Sequence, residues 1–320
     1  MPPDADWLDA AAALAARGLP LSRPNPAVGA IIVKQGRVIG RGWTQAGGRP
    51  HAEAMALTEA GTAARGATAY VTLEPCAHDS TRGPACAASL REAGLARVVI
   101  GCEDPDPRTA GAGIALLRAA GIEAVLLPSP AAARSLEGYF TRARDGRPHT
   151  TLKLATSLDG CIAMADGTSQ WITGAEARAH GHALRARMDA ILVGGETLRA
   201  DSPRLDVRLP GLAARSPARW VLTRGGVPEG WQALADPASG TFGDAQYLLI
   251  EGGAGAAAAF LAADRVDRLM LYRAPILIGA GRRGLGDIGL ASLGDAHGRW
   301  RLADQRQLGS DTLDVYDRIR

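Results

Sequence analysis

The segment from Pro50 to Cys86 restricts this chain more than any other. It reads Pro50-His51-Ala52-Glu53, then a helical pattern, then the strand-like Ala69–Leu73, closed by Glu74-Pro75-Cys76. Cys86 follows after nine intervening residues. One imidazole, two thiols and a carboxylate therefore fall within one short stretch. His51, Cys76 and Cys86 suffice as three ligands to a zinc ion with a fourth position left open, the arrangement of catalytic rather than structural zinc sites. A structural site would need a fourth ligand, for which His78 is the candidate, and Glu53 would then have no task.

The local chemistry agrees. Pro50 suits the first turn of a helix, because its missing N–H would be unpaired there anyway. His51 and Glu53 then lie at the helix start. Cys76 stands just past a strand end. Cys86 opens a second helical stretch, Cys86–Gly94, and a helix N-terminus favours the thiolate that zinc requires. Zinc would lower the pKa of a bound water, and Glu53 would carry its proton to a departing amine. The pattern resembles the H-x-E…P-C…C signature of zinc-dependent deaminases, whose short form separates the cysteines by two residues.

A chain of 320 residues with 47% hydrophobic content leads us to expect two domains. The net charge of +3 and the aromatic content of 4% give no basic surface interleaved with stacking rings. That argues against nucleic acid and favours a few arginines reading a small phosphorylated molecule. The four cysteines do not make a disulfide scaffold at this length. With no signal-peptide pattern and no long apolar run, the expectation is a cytoplasmic protein without membrane association.

Along the chain, a first helix over Asp9–Arg17 precedes the turn-rich Pro24–Gly29, then a hairpin of Ala30–Val33 with Arg37–Ile39. Asn25 reads either as a turn residue or as an amide that meets a heterocycle above the metal. After the metal motif come a strand at Arg97–Ile100, a loop from Asp104 to Gly113, a helix at Ile114–Ala120 and a strand at Glu123–Leu127. Two antiparallel strands followed by βα units predict a mixed sheet with helices on both faces. A short helix over Ala131–Tyr139 and a polar stretch from Arg142 to Pro148 place the boundary between domains 1–146 and 147–320. In the second half, strands are expected at Thr150–Ala155, Ala190–Val193 and Tyr247–Ile250, with helices at Ala175–Arg187 and Ala254–Ala263. A final pair, Arg268–Tyr272 and Thr312–Tyr316, should close the sheet. Two strands run into Gly-Gly, at Gly194-Gly195 and Gly252-Gly253, which lets backbone N–H groups approach an anion. The dinucleotide fingerprint G-x-G-x-x-G is absent.

Taken together, these segments resemble one family over nearly the whole chain, the bifunctional deaminase–reductases of bacterial riboflavin biosynthesis. The resemblance rests on Asn25–Gly29, His51-Ala-Glu53, Thr72–Cys76 and the loop at Asp104 in the first half. In the second it rests on Lys153-Leu154, Ser157–Gly160, Ser169–Thr173, Arg199–Asp201 and Glu251–Gly253. It implies a cytidine-deaminase-like α/β domain followed by a dihydrofolate-reductase-like α/β domain. It also implies hydrolytic deamination of a diaminopyrimidinone ribosylamine 5′-phosphate, then NADPH-dependent reduction of the ribosyl group to ribityl, by a homodimer. Carried over by position, His51, Cys76 and Cys86 match the zinc ligands and Glu53 the proton carrier. Ala155, Trp171, Thr197, Asp201, Gly252 and Gly253 match cofactor contacts. Asn25, Ser169, Arg185, Leu205, Arg208 and Glu251 match substrate contacts, with Arg185 and Arg208 as a phosphate clamp.

The chain departs from that pattern in places. The cysteine gap is one residue longer than in many relatives. Asp106 stands where Asn is common, Cys161 where a basic residue often stands, and the stretch from Arg208 to Gln246 is short. No basic residue can be assigned to a cofactor 2′-phosphate from sequence. Two other readings are a deaminase with a non-catalytic phosphate-binding second half, and a nucleic-acid base editor. Gly252–Gly253 and Asp201 weigh against the first, and the missing basic groove against the second.

Overall fold

The structure is a computed structural model that describes residues 2–78 and 81–320. The chain divides into two compact units, Met1–Gly146 and Arg147–Arg320.

In the first unit the elements run α1 (Asp4–Ala15), β1 (Gly29–Lys34), β2 (Arg37–Trp43), α2 (Ala52–Ala60), β3 (Thr68–Val71), α3 (Cys86–Glu92), β4 (Arg97–Ile100), α4 (Ala112–Ala119), β5 (Glu123–Leu126), α5 (Pro130–Ser135) and α6 (Glu137–Asp145). The sheet order is β2-β1-β3-β4-β5. β1 is antiparallel to both β2 and β3, and β3, β4 and β5 are parallel. This is the mixed sheet expected from the order of patterns. Alternation along β1 sends Ile31 and Val33 to one face, where they pack with Leu8 and Ala11 of α1. Ala30 and Ile32 point to the other, against Ala52 and Ala56 of α2, Leu90 of α3 and Leu117 of α4. Close approach fixes α2 on β2. A methyl group on Gly42 would lie 2.0 Å from the Ala52 carbonyl oxygen, and one on Gly40 2.1 Å from that of Ala56. Only glycine lets the helix that carries Glu53 sit this low.

Three expectations for this unit need correction. The first helix begins at Asp4, not Asp9. Pro50 lies outside α2, and His51 is the N-cap, with the extended backbone (ψ 162°) that a cap adopts. The single helix expected over Ala131–Tyr139 is two, broken at Leu136 (φ −111°, ψ 5°), and the second continues through Asp145.

The second unit runs β6 (His149–Thr156), β7 (Cys161–Ala163), α7 (Ala175–Arg185), β8 (Ala190–Gly194), α8 (Gly195–Asp201), β9 (Ala218–Leu222), β10 (Trp231–Leu234), β11 (Tyr247–Glu251), α9 (Ala254–Ala262), β12 (Arg268–Arg273), β13 (Arg282–Arg283), β14 (Trp300–Leu308) and β15 (Asp311–Arg318). The large sheet has the order β10-β9-β8-β11-β6-β12-β15-β14, and β13 pairs with β7 apart from it. Strands β10 through β12 are mutually parallel; β15 and β14 are antiparallel to their neighbours. Phe260 and Ala257 of α9 pack on Leu152, Leu192, Leu248 and Ile250. Ala177 of α7 packs with Met270, Tyr272, Leu313 and Val315. Each fully buried aliphatic side chain in such a core contributes roughly 1.5–3 kcal/mol.

Here too the sequence reading needs amendment. β12 and β15 do not close the sheet, because β14 lies outside them as the edge strand. Its residues are mostly half-buried or exposed, so it carries no apolar run. The polar run Glu196–Asp201 is helical; none of its residues is buried, so it has no apolar stripe to announce it.

Candidate active sites

The first site forms where α2, the end of β3 and α3 converge. His51 Nδ1 lies 3.3 Å from Cys86 Sγ and 3.7 Å from Cys76 Sγ. The three ligand atoms lie within 4.8 Å of one another. Tetrahedral zinc with N and S ligands requires ligand separations of about 3.5–3.8 Å, so the donors fit that ion both chemically and geometrically. The backbone N–H of Cys86 donates to Cys76 Sγ at 3.3 Å. Hydrogen bonding from the Cys86 thiol holds the Cys76 thiol down to about 4, and the same proximity pushes Cys86 up. His78 does not join the cluster; its Nδ1 lies 3.5 Å from Thr109 Oγ1.

Glu53 sits on the first turn of α2, 4% exposed, and burial pushes its carboxyl up. A pocket of about 280 Å³ opens over His51, Glu53 and Cys76, with Asn25, Asp104 and Arg108 in its walls. Asn25 also lies on the outer side of the imidazole: its Nδ2 is 3.0 Å from His51 Nε2 and donates to the Gly48 carbonyl at 3.0 Å. It therefore orients the metal-ligand ring as well as facing the pocket. Asp106 accepts from the backbone N–H and the guanidinium of Arg108, which holds its carboxyl below the usual range. The charge that replaces the common Asn is thus neutralised locally.

Sequence reasoning passed over Glu74. Its buried carboxylate accepts from the backbone N–H groups of Gly111 and Ile114, both at 3.0 Å, and of Asp104 at 3.4 Å. It ties the start of α4 and the Asp104 loop to the strand end that delivers Cys76. Its place in Leu73-Glu74-Pro75-Cys76 was the available signal.

The second unit gathers its charged residues at the C-terminal ends of the parallel strands. Arg185 donates through Nε and Nη2 to the two oxygens of Glu251 at 2.7 and 2.9 Å, and through Nη1 to the Asp206 carbonyl at 3.0 Å. Lys153 Nζ lies 3.7 Å from Glu251 Oε2. Burial acts to raise the Glu251 carboxyl, but the Lys153 and Arg185 charges outweigh it and hold the group below its ordinary value. Arg208 is half-exposed, bonded through Nε to Asp206 at 2.9 Å. Its backbone N–H donates to His182 Nδ1 at 3.3 Å. Burial, with the Arg185 and Arg208 charges, pushes His182 down, which keeps that nitrogen an acceptor. Leu205 is buried with φ 54°, directly before Asp206. Arg185, Leu205, Arg208 and Glu251 therefore share one place. The expected two-arginine clamp is modified, because the Arg185 fork is occupied by Glu251. Lys153, named in the sequence only within a motif, belongs to the same cluster.

A second group surrounds the turn after β11. Gly252 and Gly253 both have positive φ, 88° and 81°, and a methyl group on Gly253 would lie 2.8 Å from Thr197 Oγ1. Thr197 thus faces the Gly-Gly turn from α8, and Asp201 ends that helix. Ala155 lies on β6, in register with Tyr272. Ser169 and Trp171 lie between β7 and α7; Trp171 is 65% exposed, with the Arg178 guanidinium 5.0 Å from its ring centre.

Comparison with known proteins matches a family model to each unit. The cytidine and deoxycytidylate deaminase zinc-binding region matches residues 1–102, and the RibD C-terminal domain matches residues 148–238 and 243–313. The riboflavin biosynthesis protein RibD of Haemophilus influenzae is 36% identical over 98% of this chain and 97% of its own length. The structure of Acinetobacter baumannii RibD superposes with a TM-score of 0.87 at 35% identity, covering 99% of both chains. That of a Thermotoga maritima diaminohydroxyphosphoribosylaminopyrimidine deaminase/5-amino-6-(5-phosphoribosylamino)uracil reductase gives 0.87 at 29% identity with the same coverage. Among the described residues no helix is long and apolar enough to cross a membrane. With a deaminase-type metal cluster in one unit and the reductase fold in the other, the chain belongs to the RibD family, the bifunctional deaminase–reductases of riboflavin biosynthesis.

Proposed function

We propose that residues 1–146 deaminate 2,5-diamino-6-(5-phosphoribosylamino)pyrimidin-4-one and that residues 147–320 reduce the ribosyl group of the product with NADPH. The observation that carries the first half is the buried Glu53 carboxyl beside the His51–Cys76–Cys86 cluster in a pocket of ring size. Zinc, when bound by these three residues, supplies Lewis-acid activation of water. Glu53 takes the proton of that water and delivers it to the 2-amino nitrogen. The water oxygen bonds to C2, the C2–N bond breaks and ammonia leaves, and the oxygen stays as the carbonyl as its remaining proton passes to the ring nitrogen. Asn25 lies in the pocket wall to meet the ring, and Arg49 and Arg82 line the pocket where an anionic substrate needs positive charge.

In the second unit NADPH, when bound, supplies a hydride to C1′ of the ribosylamine. Thr197 and the Gly252–Gly253 turn form its cradle, with Ala155, Trp171 and Asp201 alongside. Ser169, Leu205, Arg208 and Glu251 hold the substrate, and Arg185 fixes the Glu251 carboxylate in place. The C1′–O4′ bond breaks as the hydride arrives, and O4′ takes a proton, for which Lys153 Nζ beside Glu251 is the donor the geometry offers. The free cysteines suit a reducing compartment, the cytoplasm. The exposed edge strand β14 offers a surface for a homodimer, which sedimentation velocity tests.

The test is purified protein incubated with this pyrimidinone, with and without NADPH, following ammonia and NADPH absorbance. Ammonia in both reactions with NADPH loss in one supports the reading. Zinc-loaded protein that releases no ammonia removes it.

A further inference from the structure

The sheet order gives the proposed cofactor a direction. The strands lie β9-β8-β11-β6, all parallel, so their C-terminal ends share one edge, where α/β sheets bind ligands. The substrate cluster joins Lys153 of β6 to Glu251 of β11, with Arg185 reaching Glu251 from the end of α7. A hydride must reach that cluster, so the nicotinamide lies on the β6 side. The pyrophosphate then meets the Gly252–Gly253 turn and Thr197, after β11. The adenosine half has one way to continue, past β8 to the end of β9.

Two cations wait there. α8 straddles the cradle: Thr197 faces Gly253, while Arg199, two residues on, turns the other way. A methyl group built on Gly195 would lie 3.1 Å from Arg199 Nη1, 3.4 Å from the Leu222 carbonyl oxygen and 3.6 Å from Thr223 Cβ. The Arg199 guanidinium therefore folds back over the turn after β8 and lies beside the end of β9, where Arg224 is the next residue after Thr223. Both arginines are exposed, and neither makes an ion pair among the described residues. The carboxylate on this turn, Glu196, faces Arg282 at 3.8 Å instead. Resting on the cofactor reading above, we propose that Arg199, with Arg224, holds the 2′-phosphate of the dinucleotide and makes this unit select NADPH over NADH. A guanidinium fork suits a phosphate dianion, whereas a 2′-hydroxyl calls for a carboxylate at this place.

The test is equilibrium binding of NADPH and of NADH, read by nicotinamide fluorescence, on the full chain and on Arg199→Ala, Arg224→Ala and the double variant. Arg199→Ala should weaken NADPH about 10- to 100-fold and leave NADH within about twofold, the size expected for hydrogen bonds to a charged group. Arg224→Ala should act in the same direction, and 2′,5′-ADP should compete with NADPH less well in each variant. Unchanged thermal midpoints would confirm that the fold survives. Equal weakening of both dinucleotides, or unchanged NADPH affinity in the double variant, would overturn the proposal. Wild-type protein that binds the two equally would overturn this inference alone, and wild-type protein that binds neither would overturn the cofactor reading beneath it.

Discussion

Arg185 holds both carboxylate oxygens of Glu251, at 2.7 and 2.9 Å, in a pair that is nearly closed to solvent. α7 supplies the guanidinium and the end of β11 the carboxylate, so the pair locks a helix to the strand that runs into the Gly252–Gly253 turn. Lys153 completes it from β6. The position of the Glu251 carboxylate is thus set by two cations from two other elements.

Glu251→Gln removes the charge that Arg185 and Lys153 both face. NADPH oxidation should fall roughly 10- to 100-fold, in keeping with the loss of charge-assisted hydrogen bonds. Ammonia release should continue at the wild-type rate, because the His51–Cys76–Cys86 cluster belongs to the other unit. Parallel assays of the two activities check this, and equal loss of both would contradict it.

Glu53→Gln keeps the shape of the buried side chain and removes its ability to carry a proton. Ammonia release should drop by about 10²- to 10⁴-fold, the usual contribution of a positioned acid–base group. Bound zinc, measured by atomic emission, should stay at the wild-type level. Loss of the metal in this variant would make Glu53 a ligand rather than a proton carrier.

Metal removal separates the two units. A chelator strong enough to strip His51, Cys76 and Cys86 should stop ammonia release and leave NADPH oxidation intact when the deaminated intermediate is supplied. Added zinc should restore the first activity. Cys86→Ser should mimic the chelator without rescue at low zinc, since it replaces a thiolate by a poor ligand.

Asp267 should govern acid stability of the second unit. It accepts from Arg147 at 2.6 and 2.8 Å and from the backbone N–H of Thr150 at 2.8 Å. Burial works against its ionised form, but the Arg147 hydrogen bonds outweigh that and hold the carboxyl well below the usual carboxylate range. A group depressed in the folded state stabilises the fold above its unfolded pKa of about 3.9 and loses that contribution as pH falls through its folded value. Stability should therefore decline below about pH 4. Asp267→Asn should cost about 3 kcal/mol at neutral pH, because it removes the buried carboxylate charge that Arg147 and Arg320 both face. Its acid limb should be flatter than that of the wild type. Urea unfolding across the pH range, followed on the second unit, measures both.

Much of the first site was legible because its chemistry is local. His51 and Glu53 start one helix, Cys76 follows a strand, and Cys86 starts the next helix. Spacing alone puts four such side chains near one sheet edge. Glu74 escaped notice because its partners, Gly111 and Ile114, are nearly forty residues away, and nothing in a single carboxylate says which N–H groups it will meet. The edge strand β14 and the short helix α8 were missed for a related reason. Neither buries an apolar stripe, so neither leaves a period in the sequence.

The sequence by itself determined the His51–Cys76–Cys86 cluster, the place of Glu53 at the start of the same helix and the alternation of strands and helices, since each depends on residue type and short-range spacing. The tertiary structure decided which distant side chains share a site. Glu251 and Arg185, 66 residues apart, become one ion pair because β11 and α7 end at the same sheet edge. The direction of the proposed cofactor site, and with it the place of Arg199 beside the end of β9, follows from strand order. That order is fixed by packing among segments remote in the chain, which no local pattern records.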